Sequence, residues 1–558
     1  MATDCVAGVR KVIKIDKFFG EIPRLPTDRL PVGAAQLAKN INTSHEELRT
    51  LKGLGTASLA HASARPVRGL FTDNGLRFFC WDKPTRAFLA PTIDDTASRV
   101  YYQSHGQGLR VTTTGDMRVS SLEPRAPTVS WKVGVRPPTG SLVLTRDGAL
   151  PTLDRETVAV VATIQNVWGE ESHPSRPMLL EKGLTQGFTM TLSHVPDAEQ
   201  REIAGVNFYR TYAGNNTEYL LINSTAAPIV DGEATIYDNT TAAPTTTNLT
   251  SSEWDQPPAA AGNLTYVGNG FFVVSAGKDL VFSEPYRPHA WPYRMTFPHG
   301  VVGAVAIEGG ILVTTQAQTY LVSGASPSQM GQQLLPTEQA GWSDTSMTRV
   351  AGSAIYASND GLVDVFGGQP SIDASQQLFT RKDWRSRYGN ARLNLRLAQH
   401  DGYILGIVDP DYPIAGSTEP SFLLRLDEAN GAFCTLDLPG VIYSASVSGT
   451  TDQLYVGTSE GFAEFAASNT RLEGDWWSGD FLHPAPKCYG AAIVDCTGTF
   501  DVRIYAGGTL IHTQAVTNRT QFRLPSAAPN LRWSIRFTGT GSVRSFEMGS
   551  SFAELKEV

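Results

Sequence analysis

The string with the most direct catalytic meaning is Gly457-Thr458-Ser459-Glu460-Gly461. It matches the GxSxG pattern, in which a serine sits on a strained strand-to-helix turn so that its hydroxyl projects from a sheet. Here the following Phe462-Ala463-Glu464-Phe465 alternates as a strand does, so the glycines read as a hairpin turn and not as a nucleophile elbow. Glycoside hydrolysis would need two carboxyl groups held about 5 to 10 Å apart. The adjacent pairs Asp94-Asp95 and Glu170-Glu171 fall on predicted turns, and neighbouring side chains in extended backbone face opposite ways. The ten histidines fall singly, without HExxH or other metal spacing, and no P-loop or GxGxxG string occurs. The five cysteines, Cys5, Cys80, Cys434, Cys488 and Cys496, show no CxxC spacing and read as free thiols of a protein made in a cytoplasm, although Cys488 and Cys496 could pair across a hairpin. No catalytic residue, metal site or cofactor is expected, and the chain is read as a non-enzyme.

Two further segments have distinctive chemistry. Asp73-Asn74-Gly75-Leu76-Arg77-Phe78 resembles part of the aspartate-box turn of sialidase-type propellers, with Phe71 where that box has a serine. Its physical content is an Asp-Asn-Gly turn. Ser283 to Pro292 combines three prolines, which stiffen the backbone, with Tyr286, Arg287, His289 and Trp291, which offer broad contact area. It reads either as a rigid loop capping a core or as a contact surface between subunits.

The elements that must carry these residues are short runs of β-branched and aromatic residues cut by Gly, Asn and Asp. From about Pro66 one unit returns: an apolar run, a polar turn with glycine, and a second apolar run. Examples are Val67–Phe71 with Arg77–Trp81, Val301–Ile307 with Ile311–Thr315, Ala354–Tyr356 with Gly361–Phe366, Tyr403–Val408 with Phe422–Leu426, and Gln453–Gly457 with Phe462–Phe465. A return every 40 to 50 residues or so predicts the blades of a β-propeller, the alternative being stacked sandwich hairpins. Residues 136–250 differ in character, opening with Arg136-Pro137-Pro138 and leaving through the Thr/Ala/Pro-rich stretch from Thr240 to Ser252. They read as an inserted fibronectin-III-like sandwich.

The expected order is therefore all-β: an N-terminal arm or platform segment over 1–60, first propeller strands over 61–135, the insertion over 136–250, the rest of the propeller over 251–470, and a C-terminal sandwich or platform over 471–558. Trp476-Trp477 should place one ring on each face of that last sheet. The best helix candidate is Gly33 to Lys52, where Ser44 and Glu47 have capping-box spacing.

With 558 residues the chain is long enough for several cores. Charged residues make up 18%, below the roughly 25% usual for soluble chains. The net charge is -8 and no run of five or six like charges occurs, which argues against a stationary nucleic-acid binder or a polybasic membrane binder. The first residues lack the apolar core of a secretory signal, and no apolar stretch approaches the ~20 residues of a membrane span, so no stable membrane anchoring is expected.

The order of several motifs resembles the hub or nozzle (tail tube) proteins of short-tailed bacteriophages. The motifs are Phe18-Phe19-Gly20-Glu21-Ile22-Pro23-Arg24, Leu30-Pro31, Ala38-Lys39-Asn40, Gly169-Glu170-Glu171-Ser172, Tyr209-Arg210-Thr211, the Ser283–Pro292 loop, Tyr356–Leu362 and Phe379–Trp384. The resemblance covers nearly the whole chain. It implies a virion tail protein made in the host bacterial cytoplasm and assembled as a homohexamer below the portal and its adaptor (head-completion) protein. It also implies contact with tail fibre or needle proteins. Genomic DNA would pass through the lumen without specific binding, a role that an acidic chain permits because a basic lumen would brake moving DNA. The alternative functions are a carbohydrate-active, sialidase-like propeller and a receptor-binding or fibre-adaptor propeller.

Overall fold

Between residues 69 and 464 many strands read as consecutive buried residues, such as Phe271–Ser275 and Ser353–Ser358, and do not alternate in and out. Such strands need cover on both faces of their sheet. The computed structural model describes residues 12–556 except 43–45, 59–64, 93, 120, 213–214, 240–244, 338, 367–368, 372, 426–432 and 527. In it the chain is nearly all β.

Seven small antiparallel sheets, the sixth of them an arm of a larger sheet, follow one another. Their first strands are Gly69–Thr72, Thr85–Leu89, Gly262–Val267, Val301–Ile307, Met347–Val350, Leu395–His400 and Ile442–Val447. Each of these packs beside the next, and the seventh returns to the first, so the series closes into a ring. A separate apolar cluster fills each seam. Phe79, Trp81 and Tyr102 join the first and second sheets, Phe271, Val273 and Val313 the third and fourth, and Phe78, Tyr455 and Phe462 the seventh and first. Closure is completed by an extended segment from near the start of the chain. Gly55 N donates to Glu464 O at 2.8 Å and Ser58 N to Phe462 O at 2.8 Å, which lays this segment along the outer strand of the seventh sheet. Leu426, at the end of one predicted apolar run, lies outside the described residues.

The insertion leaves after Trp131–Lys132 and returns at Gly262. Its three-stranded sheet (Leu142–Arg146, Phe188–Ser193, Glu233–Asp238) faces a four-stranded one (Met178–Gly183, Arg155–Asn166, Ile203–Tyr212, Asn215–Leu221). Phe188, Met190, Val160, Ile164 and Phe208 form the core between them. Thr240 and the four residues after it, at the start of the expected linker, lie outside the described residues.

Two expectations fail here. The Gly33–Lys52 helix is absent: Ala35–Lys39, Ile41–Asn42 and Leu48–Thr50 are strands, and Ser44 of the supposed cap lies outside the described residues. Pairing overrides local propensity, since Ala35–Lys39 lies antiparallel to Gly474–Ser478, and Leu48 sits opposite Val543. The principal helix is instead Arg381–Tyr388, opened by a capping box in which Thr380 accepts from Asp383 N. The second failure is the separation of the 1–60 and 471–558 segments and the expectation of two facing sheets in the latter. Ten strands of one fourteen-stranded sheet curl round a single core, and their spine is the 20-residue strand Asn530–Gly549. Along one edge of this spine runs Ala491–Ala506; along the other lie Phe481–Lys487, Gly474–Ser478, Leu48–Thr50 and Ile13–Ile15. Two glycines meet across the spine: Gly498 (φ +95°) faces Gly541 (φ +134°), and a Cβ on Gly541 would collide with Thr497 O. The same sheet continues through Ala35–Lys39, which runs parallel to Phe433–Thr435, into the sixth sheet of the ring. Trp476 is fully buried and donates from Nε1 to Phe19 O, whereas Trp477 stacks on Tyr505 under Arg536, so the two rings take opposite faces.

Candidate functional site

The loop singled out in the sequence lies where the insertion meets the ring. Its backbone is tied by Glu284 N to Ala290 O (2.8 Å) and Trp291 N to Asp255 O (3.0 Å). Trp291 is buried with its Nε1 on Pro288 O, and His289 is largely enclosed, edge-on to Trp254 at 5.3 Å. Arg287 lies over the Trp254 ring, and Tyr286, at φ +58°, is 53% exposed and covers Gly270. The loop thus has two faces: Trp291 and His289 cap the core, and Tyr286 and Arg287 look outward.

Behind His289 a polar cluster joins the insertion to the second sheet. Arg99 bridges Asp95 (3.1 Å) and Glu170 (2.6 Å). Burial pushes the Asp95 carboxyl up, but the hydrogen bonds from Arg99 outweigh it and hold Asp95 below its usual range. Burial dominates at Glu170 and raises its pKa. His289 Nδ1 lies 3.7 Å from Glu170 Oε1 without forming an ion pair, because burial, helped by the nearby cations Arg99 and Arg287, holds the imidazole neutral with a pKa of about 3. Trp168 completes the joint: it meets Trp131 edge-on, and the guanidinium groups of Arg99 and Arg201 lie 5.6 and 5.1 Å from its ring centre. Beside this joint a cavity of about 700 Å³ is lined by Trp81, Tyr102, Lys83, Arg110, Arg136 and Gln200, among others.

The two members of each carboxylate pair face different surroundings. Glu170 turns to the ring, while Glu171 accepts from Thr163, Asn207 and Tyr209 inside the insertion. Asp95 binds Arg99, and Asp94 is exposed on a turn at φ +58°. Ser459 and Glu460 form the two-residue turn between strands Leu454–Thr458 and Gly461–Glu464. In the Asp-Asn-Gly turn, Asn74 Oδ1 accepts from Leu76 N and Arg77 N, and Asp73 pairs with Arg77. Cys80, Cys434 and Cys496 are buried and Cys488 is exposed, and no disulfide joins Cys488 to Cys496; Cys5 lies outside the described residues. Among the described residues no cluster of three His, Cys, Asp or Glu could hold a metal, and no helix is long and apolar enough to cross a membrane.

A second site, unmarked by any motif, lies at the hub of the ring. Its cavity, about 480 Å³, is lined by residues of all seven first strands. Arg86 crosses it from the second sheet to Thr265 Oγ1 (3.3 Å) of the third and Ala304 O (2.8 Å) of the fourth, and to Asp344 O before the fifth. Arg396 of the sixth sheet donates to Arg68 O (2.8 Å), and both arginines bind the fully buried Asp409 (2.8 and 2.7 Å). The sequence does carry a signal for these residues, an isolated arginine in an apolar run, as in Thr85-Arg86-Ala87-Phe88 and Leu395-Arg396-Leu397.

No family model matches the chain, and no curated protein does. Among solved structures it is similar to a chain of an S. cerevisiae Dbp5 complex with Nup159, Gle1, IP6 and ADP (10% identity, 51% of this chain, 91% of that one, TM-score 0.22). It is similar also to Citrobacter koseri AztD (10%, 50% and 96%, TM-score 0.22). A third match is the exo-β-1,3-galactanase of Phanerochaete chrysosporium bound to β-1,3-galactotriose (9%, 89% and 100%, TM-score 0.18). Likeness at these TM-scores carries no argument about fold or activity.

Proposed function

We propose that this chain is a structural subunit of a bacteriophage tail, a nozzle or hub protein that works in a ring, hexameric in the family its motifs resemble. In this reading the seven-sheet ring is a seven-bladed β-propeller. The insertion is a fibronectin-III-like module between the second and third blades, and the curled sheet is the platform. The ring of copies sits below the portal and adaptor, retains packaged DNA, and conducts it into the host on ejection.

The observation that carries this reading is mechanical. One sheet runs from the sixth sheet of the ring through Ala35–Lys39 into the long strands 530–549, and the Arg99–Glu170 and Trp168 joint fixes the insertion to the ring. A tail tube needs its parts held at fixed angles, and continuous hydrogen bonding between two bodies supplies that. The hub of each ring is crossed by Arg86, so DNA would travel between copies and not through one chain. The carbohydrate-active alternative has less behind it, because Asp95 and Glu170 are tied to Arg99 and Glu171 to three donors of the insertion. Sedimentation of the full-length chain, alone and with its own portal and adaptor proteins, tests the proposal. Co-sedimentation as a ring with the adaptor is expected; a chain that stays monomeric with both present would overturn it.

A further inference from the structure

Four arginines, Arg68, Arg86, Arg349 and Arg396, line the hub cavity, against one lining carboxylate, Asp344. Adding the buried Asp409, which serves Arg68 and Arg396 together, leaves four cations against two carboxylates, an excess of two positive charges (4 − 2). Arg86 meets neutral acceptors, the oxygens of Thr265, Ala304 and Asp344. The Arg349 side chain makes no hydrogen bond or ion pair among the described residues. A guanidinium carries five N–H donors, and Arg68, Arg86 and Arg396 each leave some unused. Burial lowers the pKa of Arg86, and that of Arg396 to about 10, with Asp344 and Asp409 offsetting it only in part. Arg68 and Arg396 are enclosed cations with spare donors, the setting in which an anion binds well, and the exposed Arg349 adds a further cation to the lining.

We infer that the hub cavity binds a small oxyanion of the phosphate or carboxylate class, held by Arg349 together with the inward donors of Arg86, Arg68 and Arg396. This goes beyond the tail reading and does not depend on it. The cavity is small and crossed by side chains, so the ligand is a free anion and not a nucleic-acid backbone. Bound there, it would neutralise the hub and tie together sheets that are not neighbours in the ring.

The test is isothermal titration of the full-length chain with inorganic phosphate, and separately with succinate, at constant ionic strength set by sodium chloride. Saturable binding of at least one anion at one site per chain is expected. Arg349→Gln, an exposed position whose loss spares the stapling bonds of Arg86 and Arg396, should weaken that binding by at least about fivefold, the loss of one charge-assisted contact. No saturable binding of either anion to the folded wild-type chain would overturn the inference. So would a smaller change in an Arg349→Gln chain that melts as the wild type does.

Discussion

Arg99 is the residue on which the junction of insertion and ring turns. It serves Asp95 and Glu170 at once and lies against Trp168. Removing one partner of an enclosed charge set leaves the others unpaired, so Arg99→Ala should cost about 3 kcal/mol of stability, read by denaturant unfolding. His289 gives the same joint a pH dependence. Its ordinary pKa of 6.5 falls to about 3 in the folded chain. Between those values the unfolded chain takes up a proton that the folded chain refuses, so this contribution is complete above pH 6.5 and shrinks as pH falls towards 3. Glu170 acts in the opposite sense: its raised pKa means that the folded chain takes up its proton first on acidification, which adds stability there. Between pH 7 and 5.5 the histidine should therefore show, at up to about 1.4 kcal/mol per pH unit below its unfolded pKa. Thermal melts of His289→Gln should lose less stability over that interval than the wild type; equal losses would remove His289 from the account. The loop holding His289 was legible from its prolines and aromatics. Its partners were not, because Arg99 and Glu170 are 71 residues apart, and the motif Gly169-Glu170-Glu171-Ser172 does not point to Arg99.

At the scale of elements, the repeating hairpins were legible because each strand pair is local and its turn residues are explicit. The Asp-Asn-Gly turn and the Ser459-Glu460 turn are examples. The strands of residues 35–50 were not legible, since Ala35–Lys39 and Leu48–Thr50 pair with strands more than 400 positions away and a spacing of Ser44 to Glu47 imitates a cap. On the platform's long strand, the φ of +134° at Gly541 and its contact with Thr497 O exclude a side chain. Gly541→Val should destabilise by at least about 2 kcal/mol and broaden the unfolding transition as the curled sheet loosens from the ring. In the principal helix, Trp384 is fully buried, stacks on Trp342 at 5.4 Å and donates to Ser358 O. Trp384→Ala should cost about 3–5 kcal/mol, measured in the same way.

Taken as a whole molecule, three all-β bodies are joined by covalent, hydrogen-bonded and packed connections. Composition had pointed to all-β repeats and an insertion, and the order of motifs to a tail protein. The continuity of one sheet across the ring and the curled body left no local trace in the sequence, because it is made by the pairing of Ala35–Lys39 with Phe433–Thr435, far along the chain. With a net charge of -8, the purified chain should show no saturable binding of duplex DNA at about 0.15 M salt, as a filter-binding assay would read. The central claim concerns assembly and is met most directly by imaging. Electron cryomicroscopy of the full-length chain with its portal and adaptor should show a closed ring of copies beneath the adaptor, with an open axial passage between copies and each seven-sheet ring blocked at its own hub. Single chains unattached to the adaptor, or attached without forming a passage, would contradict it.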